Sequence, residues 1–110
     1  MLPEIDPALI QPTMRRVVWW LRSLDFETTD SGDGVTNGRA GMEGTIEFPH
    51  VFCEVDPNLG VTEARRLLME CKRAGLPLET LRVEFSYNPG DEVGLVALYE
   101  ITDAELPATL

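Results

Sequence analysis

Two stretches of the chain place apolar residues at helical spacing. Met14, Val17, Val18, Leu21 and Leu24 recur three and four positions apart, which predicts a first helix over 13–24 with Thr13 as its cap. Trp20 sits on the edge of that stripe. Ala64, Leu67, Leu68 and Cys71 repeat the pattern and predict a second helix over 62–74. Arg65, Arg66, Glu70, Lys72 and Arg73 fall mostly on its outer side. Gly75 suits a left-handed C-cap, Leu76 its apolar follower and Pro77 a stop.

Four other stretches read as strands. Residues 26–30 alternate, 45–48 are strand-like before Pro49 interrupts, and 51–55 are β-rich and apolar enough for a central strand. Residues 56–60 form a turn. Over 81–87 the alternation is strict: Leu81, Val83, Phe85 and Tyr87 face one way, Arg82, Glu84 and Ser86 the other. A hairpin turn at 88–92 leads into 93–101, apolar on both faces and therefore central. The order α-β-β-α-β-β predicts an α+β fold, with two helices on one face of a four-stranded, mostly antiparallel sheet. The opposite sheet face is expected to carry Thr, Glu and Arg side chains and to be open for binding. Each half is a helix followed by a hairpin-like pair, a faint internal duplication.

The length fits one domain over 1–110. Residues 1–12 contain three prolines and read as an extended arm. Residues 31–44 form a glycine-rich loop: Gly32, Gly34, Gly38, Gly41 and Gly44 are five of the nine glycines. A segment of this composition is either a mobile surface loop or one shaped for a ligand.

Charge narrows the partners. Nineteen acidic residues against nine basic ones give a net charge of −10. Such a surface repels a phosphate backbone, so direct nucleic-acid binding is not expected. It attracts a protein with a basic surface, although acidity also serves solubility alone. Cys53 and Cys71 are too few for a disulfide framework and fit as buried free thiols. The start, Met-Leu-Pro-Glu-Ile-Asp, does not read as a signal peptide. The longest apolar run, 17–21, is too short to span a membrane. A cytoplasmic location follows as the expectation.

Candidate chemistry is sparse. His50 and Cys53 have a zinc-ligand spacing, but two more ligands are needed and Cys71 lies on a buried helix face. Asp30, Asp33 and Asn37 offer oxygens for a divalent cation, but the alternate positions of a calcium loop fall on Gly32 and Gly34. Asp30, Asp33 and His50 together would suffice for a hydrolytic metal and its water if they converged. The loop lacks the lysine and following helix of a phosphate-binding loop, and no nucleophile elbow is present. No cofactor is expected.

One surface feature points to binding. At about 100° per residue, Trp19 projects off the apolar stripe between Arg15 and Arg22. Trp and Arg are enriched at binding hot spots, so Trp19, Arg15 and Arg22 are the candidate partner-binding residues. The alternative places Trp19 against a loop or strand edge, with the arginine stems over its ring. The leading expectation is thus a non-enzymatic acidic interaction module. Its rivals are a metal-binding protein or metal-dependent hydrolase using Asp30, Asp33 and His50, and a structural homo-oligomer without ligand.

The run Phe-Glu-Thr-Thr-Asp-Ser-Gly-Asp-Gly-Val-Thr-Asn over 26–37, with Pro-His-Val-Phe at 49–52 and Gly-Leu-Val-Ala-Leu-Tyr at 94–99, resembles small uncharacterised proteins encoded in bacteriophage genomes. The resemblance spans most of the chain and transfers no residue roles. It implies a bacterial host cytoplasm and an accessory role, such as inhibiting a host defence or nucleic-acid-handling protein.

Overall fold

The computed structural model describes residues 6–34 and 48–109. The arm residues 1–5, most of the glycine-rich loop including Asn37, and residues 45–47 of the strand expected at 45–48 lie outside the described residues. Helix α1 spans Arg15–Ser23 and is followed by strand β1, Glu27–Gly32, and strand β2, His50–Val55. Helix α2 spans Gly60–Arg73, followed by β3, Arg82–Ser86, and β4, Gly94–Tyr99. The sheet is antiparallel throughout, in the order β1-β2-β4-β3. The expected α+β architecture is therefore present, with 51–55 and most of 93–101 as the two central strands.

Register decides which side chains enter the core. Val51 pairs with Leu98, and Cys53 with Val96, so these four share one face of the sheet. Val83 and Phe85 of β3 join that face through the same pairs. Val17, Val18 and Leu21 of α1 and Leu67 and Cys71 of α2 pack onto it in a single apolar cluster. Both helices therefore cover the same side, α1 over β1 and α2 over β3 and β4.

The two halves repeat more closely than the helix-hairpin pattern predicts. Asp6-Pro7-Ala8-Leu9 and Asp56-Pro57-Asn58-Leu59 both form a 3-10 turn ahead of a helix. In each, the Asp carboxylate accepts the backbone N–H two residues on, from Ala8 or Asn58, at 2.9 Å. Both helices also end alike. Gly75 is left-handed at φ 78°, and the Leu76 N–H donates to Cys71 O at 3.0 Å. Asp25 is left-handed at φ 65°, and the Phe26 N–H donates to Leu21 O at 3.1 Å. Phe26 is thus drawn into the cap and the core, and β1 begins one residue later than the alternation suggests.

Several expectations are corrected. Thr13 does not cap α1; its hydroxyl donates to Asp33 instead. The cap comes from the far end of the chain, where the Asp103 carboxylate accepts the Arg16 and Val17 N–H groups at 3.0 and 2.8 Å. Arg16 returns its guanidinium to the carbonyls of Asp103 and Pro107, fastening the C-terminal segment across the helix start. Leu68 is exposed rather than buried, because it lies one position past Leu67 and beyond the width of the stripe. Arg66 is not on the solvent side. Its guanidinium carbon lies 3.8 Å from the Phe26 ring centroid, and it donates to Leu24 O at 2.7 Å. Tyr87 is exposed because β3 ends at Ser86. β4 stops at Tyr99, since Glu100 turns left-handed at φ 71° and donates its N–H to Pro49 O.

Cys53 and Cys71 are free and buried, as expected. Burial pushes both thiols up to about 12, against an opposing pull on Cys53 from Arg66 and Arg22. The thiols ionise in the unfolded chain at lower pH than in the fold. The unfolded state therefore binds fewer protons above its thiol pKa, and stability falls as pH rises from about 9 toward 12. Two outcomes are expected. Native protein reacts slowly with a thiol reagent and unfolded protein rapidly. Substitution of Asp103 by Ala lowers unfolding free energy by about 1–2 kcal/mol in denaturant melts, with Asn retaining part of the loss.

Candidate functional site

The predicted metal residues are not brought together. Asp30 and His50 do approach, with the imidazole Nε2 3.6 Å from the carboxylate Oδ2. Asp30 pairs with Phe52 and Gly32 with His50, so these residues lie on the outer sheet face. Gly32 makes room for the ring, since a Cβ there would stand 2.8 Å from His50 Cε1. Asp33 is turned elsewhere. It is 5% exposed, accepts the Thr13 hydroxyl at 2.8 Å, and donates its own N–H to the Gln11 side-chain oxygen at 2.6 Å. It is a staple between the end of β1 and the turn before α1. Among the described residues, no group of three or more His, Cys, Asp or Glu could hold a metal ion.

The outer sheet face is more aromatic than its sequence suggests. Phe48 meets Tyr99 edge-on at 5.2 Å, His50 lies 5.0 Å from Phe52, and Phe52 meets Tyr99 at 6.1 Å. The Arg82 guanidinium stands over Tyr99 at 4.5 Å and Phe48 at 5.3 Å. Burial, then the Glu84 carboxylate, raise the Tyr99 hydroxyl above its ordinary value. The rings pack on one another, and Glu54 and Glu84 flank them on the same face. That acidity suits neither a phosphate backbone nor an anionic ligand. Phe52 and Tyr99 escaped the sequence reading because a central strand conceals which of its two apolar faces is outermost.

The predicted interaction face lies elsewhere, along α1 and β1. Trp19 is 42% exposed. The arginines beside it are engaged within the chain. Arg15 Nε donates to Pro7 O and Ile10 O, each at 3.1 Å, and so holds the 3-10 turn against α1. Arg22 donates to the Thr28 hydroxyl at 3.1 Å and so holds α1 to β1. Between these two tethers runs a groove of about 280 Å3, lined by Leu9, Ile10, Val18 and residues 28–31. Arg15, Arg22 and Trp19 share one helix face by their spacing, and Trp19 follows Val18, the α1 residue that lines the groove. Leu9, 80% exposed, belongs to the same rim. Among the described residues β1 is an edge strand, with a bulge between Thr28 and Asp30. Glu27 and Asp30 are exposed along it, and Asp25 just ahead of it.

Among the described residues no helix is long and apolar enough to cross a membrane. Comparison with protein-family models, with curated proteins and with solved structures gave no match.

Because Asp33 acts as a staple, its substitution by Ala is expected to lower unfolding free energy by about 1–3 kcal/mol. The loss should be equal in zinc and in chelator. A loss seen only with metal present would restore Asp33 to a ligand role.

Proposed function

We propose that the protein is a non-enzymatic, acidic interaction module that binds a basic surface of another protein through the α1–β1 face. One observation carries this reading: a half-exposed Trp19 on α1, next in sequence to the groove residue Val18, with the carboxylates of Asp25, Glu27 and Asp30 exposed at and before the β1 edge. An exposed tryptophan on a face that also carries a partly apolar recess has the composition of a binding hot spot. Exposed carboxylates around it supply long-range attraction to a basic partner and orient the encounter. The roles of Arg15 and Arg22 change within this proposal. They build the face by holding the turn and β1 to α1, and Trp19 makes the contact.

The resemblance to phage-encoded accessory proteins extends the proposal to an inhibitor of a host protein, acting in a bacterial cytoplasm. A host defence or nucleic-acid-handling factor fits, because such proteins present basic surfaces.

The test is affinity purification from a bacterial host with wild-type protein and a Trp19→Ala variant, followed by identification of the bound protein. The wild type is expected to retain a basic partner that Trp19→Ala loses, while the variant's stability changes by about 1 kcal/mol or less. Association should slow as salt rises from low to physiological levels. A partner held equally by both proteins, or association indifferent to salt, would refute the respective half of the proposal.

A further inference from the structure

The two halves of the fold correspond about the Cys53–Val96 pair at the centre of the sheet. Thr28 pairs with Cys53 on one side and Phe85 with Val96 on the other, so Thr28 and Phe85 are counterparts. The two Asp-Pro turns align in the same way and make Ile10 the counterpart of Gly60.

In the second half this position is filled from within. The Phe85 ring lies against Gly60 and Gly94, where an added Cβ would stand 2.1 and 2.6 Å from ring atoms. In the first half β1 presents Thr28 against the buried Ile10, and a groove remains between Leu9, Ile10, Val18 and residues 28–31. One half thus fills this position with an aromatic ring, and the other with the smaller Ile10, which is buried and leaves the groove beside it.

We infer that the groove receives an aromatic or large aliphatic side chain from an extended, basic segment of a partner protein, which adds as a short strand along the outer edge of β1. This rests on the interaction reading and names the chemistry of the partner. The groove, about 280 Å3, has room for one aromatic side chain. The edge position of β1 offers backbone groups for strand addition. Arg22 engages Thr28 and Gln11 engages Asp33, so the span between them is short. A short span suits a segment anchored by one side chain. The exposed Glu27 and Asp30 carboxylates select basic residues on either side of the anchor. They also argue against a second copy of the chain, because edge-to-edge pairing of two β1 strands would bring like charges together.

The probe is the peptide acetyl-Lys-Arg-Val-Phe-Val-Arg-Lys-amide, titrated calorimetrically into the full chain and followed by amide exchange. Binding is expected, with slowed exchange at residues 29–31. Replacing the peptide Phe by Ala should weaken it about tenfold or more. N-methylation of one alternate set of peptide nitrogens should do the same, and methylation of the other set should not. Filling the groove from within by Thr28→Phe with Ile10→Gly, which recreates the Phe85–Gly60 arrangement, should also weaken binding about tenfold or more. If that variant fails to fold, Leu9→Lys with Asp30→Lys changes only exposed residues and should give the same loss. Absent binding, binding indifferent to these changes, or protection confined to other strands overturns the inference. So does a dimer that dissociates on filling the groove, which would assign the groove to a second copy. Capture of a partner that still depends on Trp19, alongside failure of the peptide, would overturn strand addition and leave the interaction reading standing.

Discussion

The structure depends on the pairing of β2 with β4. This pair joins the two halves of the chain, and its register fixes which side of the sheet becomes the core. With Cys53 opposite Val96 and Val51 opposite Leu98, small and branched apolar side chains line one face. A slip of one residue would exchange them for Phe52, Ala97 and Tyr99 and present those larger groups to the helices. The helix stripes could not then close over the sheet without repacking. Both buried thiols sit in this layer, and their raised pKa reflects how completely it excludes water.

Periodicity made most of this legible. The stripe from Met14 to Leu21, the strict alternation at Leu81 to Phe85, and Gly75 as a C-cap each belong to one element, and each appears where local spacing puts it. What was not legible depends on partners distant in sequence. No local pattern announces that Asp103 caps α1, or that Arg66 leaves the solvent side of α2 to lie on Phe26. A left-handed Asp25 is equally silent, because glycine is the residue expected at such a cap.

The candidate site was legible in part. Trp19 could be placed off the core stripe by angle alone, and it is half-exposed. Its neighbours Arg15 and Arg22 are engaged within the chain, Arg15 by the carbonyls of Pro7 and Ile10 and Arg22 by the Thr28 hydroxyl, partners that no local pattern announces. Asp30 and His50 meet because Gly32 admits the imidazole, whereas Asp33 is held by Thr13 and Gln11. The groove could not be inferred at all. It arises from the packing of the Asp6–Leu9 turn against α1 and β1, and the arm carries no pattern that foretells it.

The asymmetry between the halves is the feature that local stability does not require. Where the second half closes around Phe85, with Gly60 and Gly94 trimmed to admit its ring, the first half is held by polar tethers. Arg15 grips the turn, Arg22 grips β1, and the Thr13–Asp33 and Gln11–Asp33 bonds fix the far end. Tethers of this kind hold elements in place without filling the space between them. Ile10 supplies the apolar burial on this side, where the second half uses the Phe85 ring. The same arrangement of elements thus closes on Phe85 in one half and on Ile10 and polar tethers in the other, which leaves a groove along an acidic strand edge.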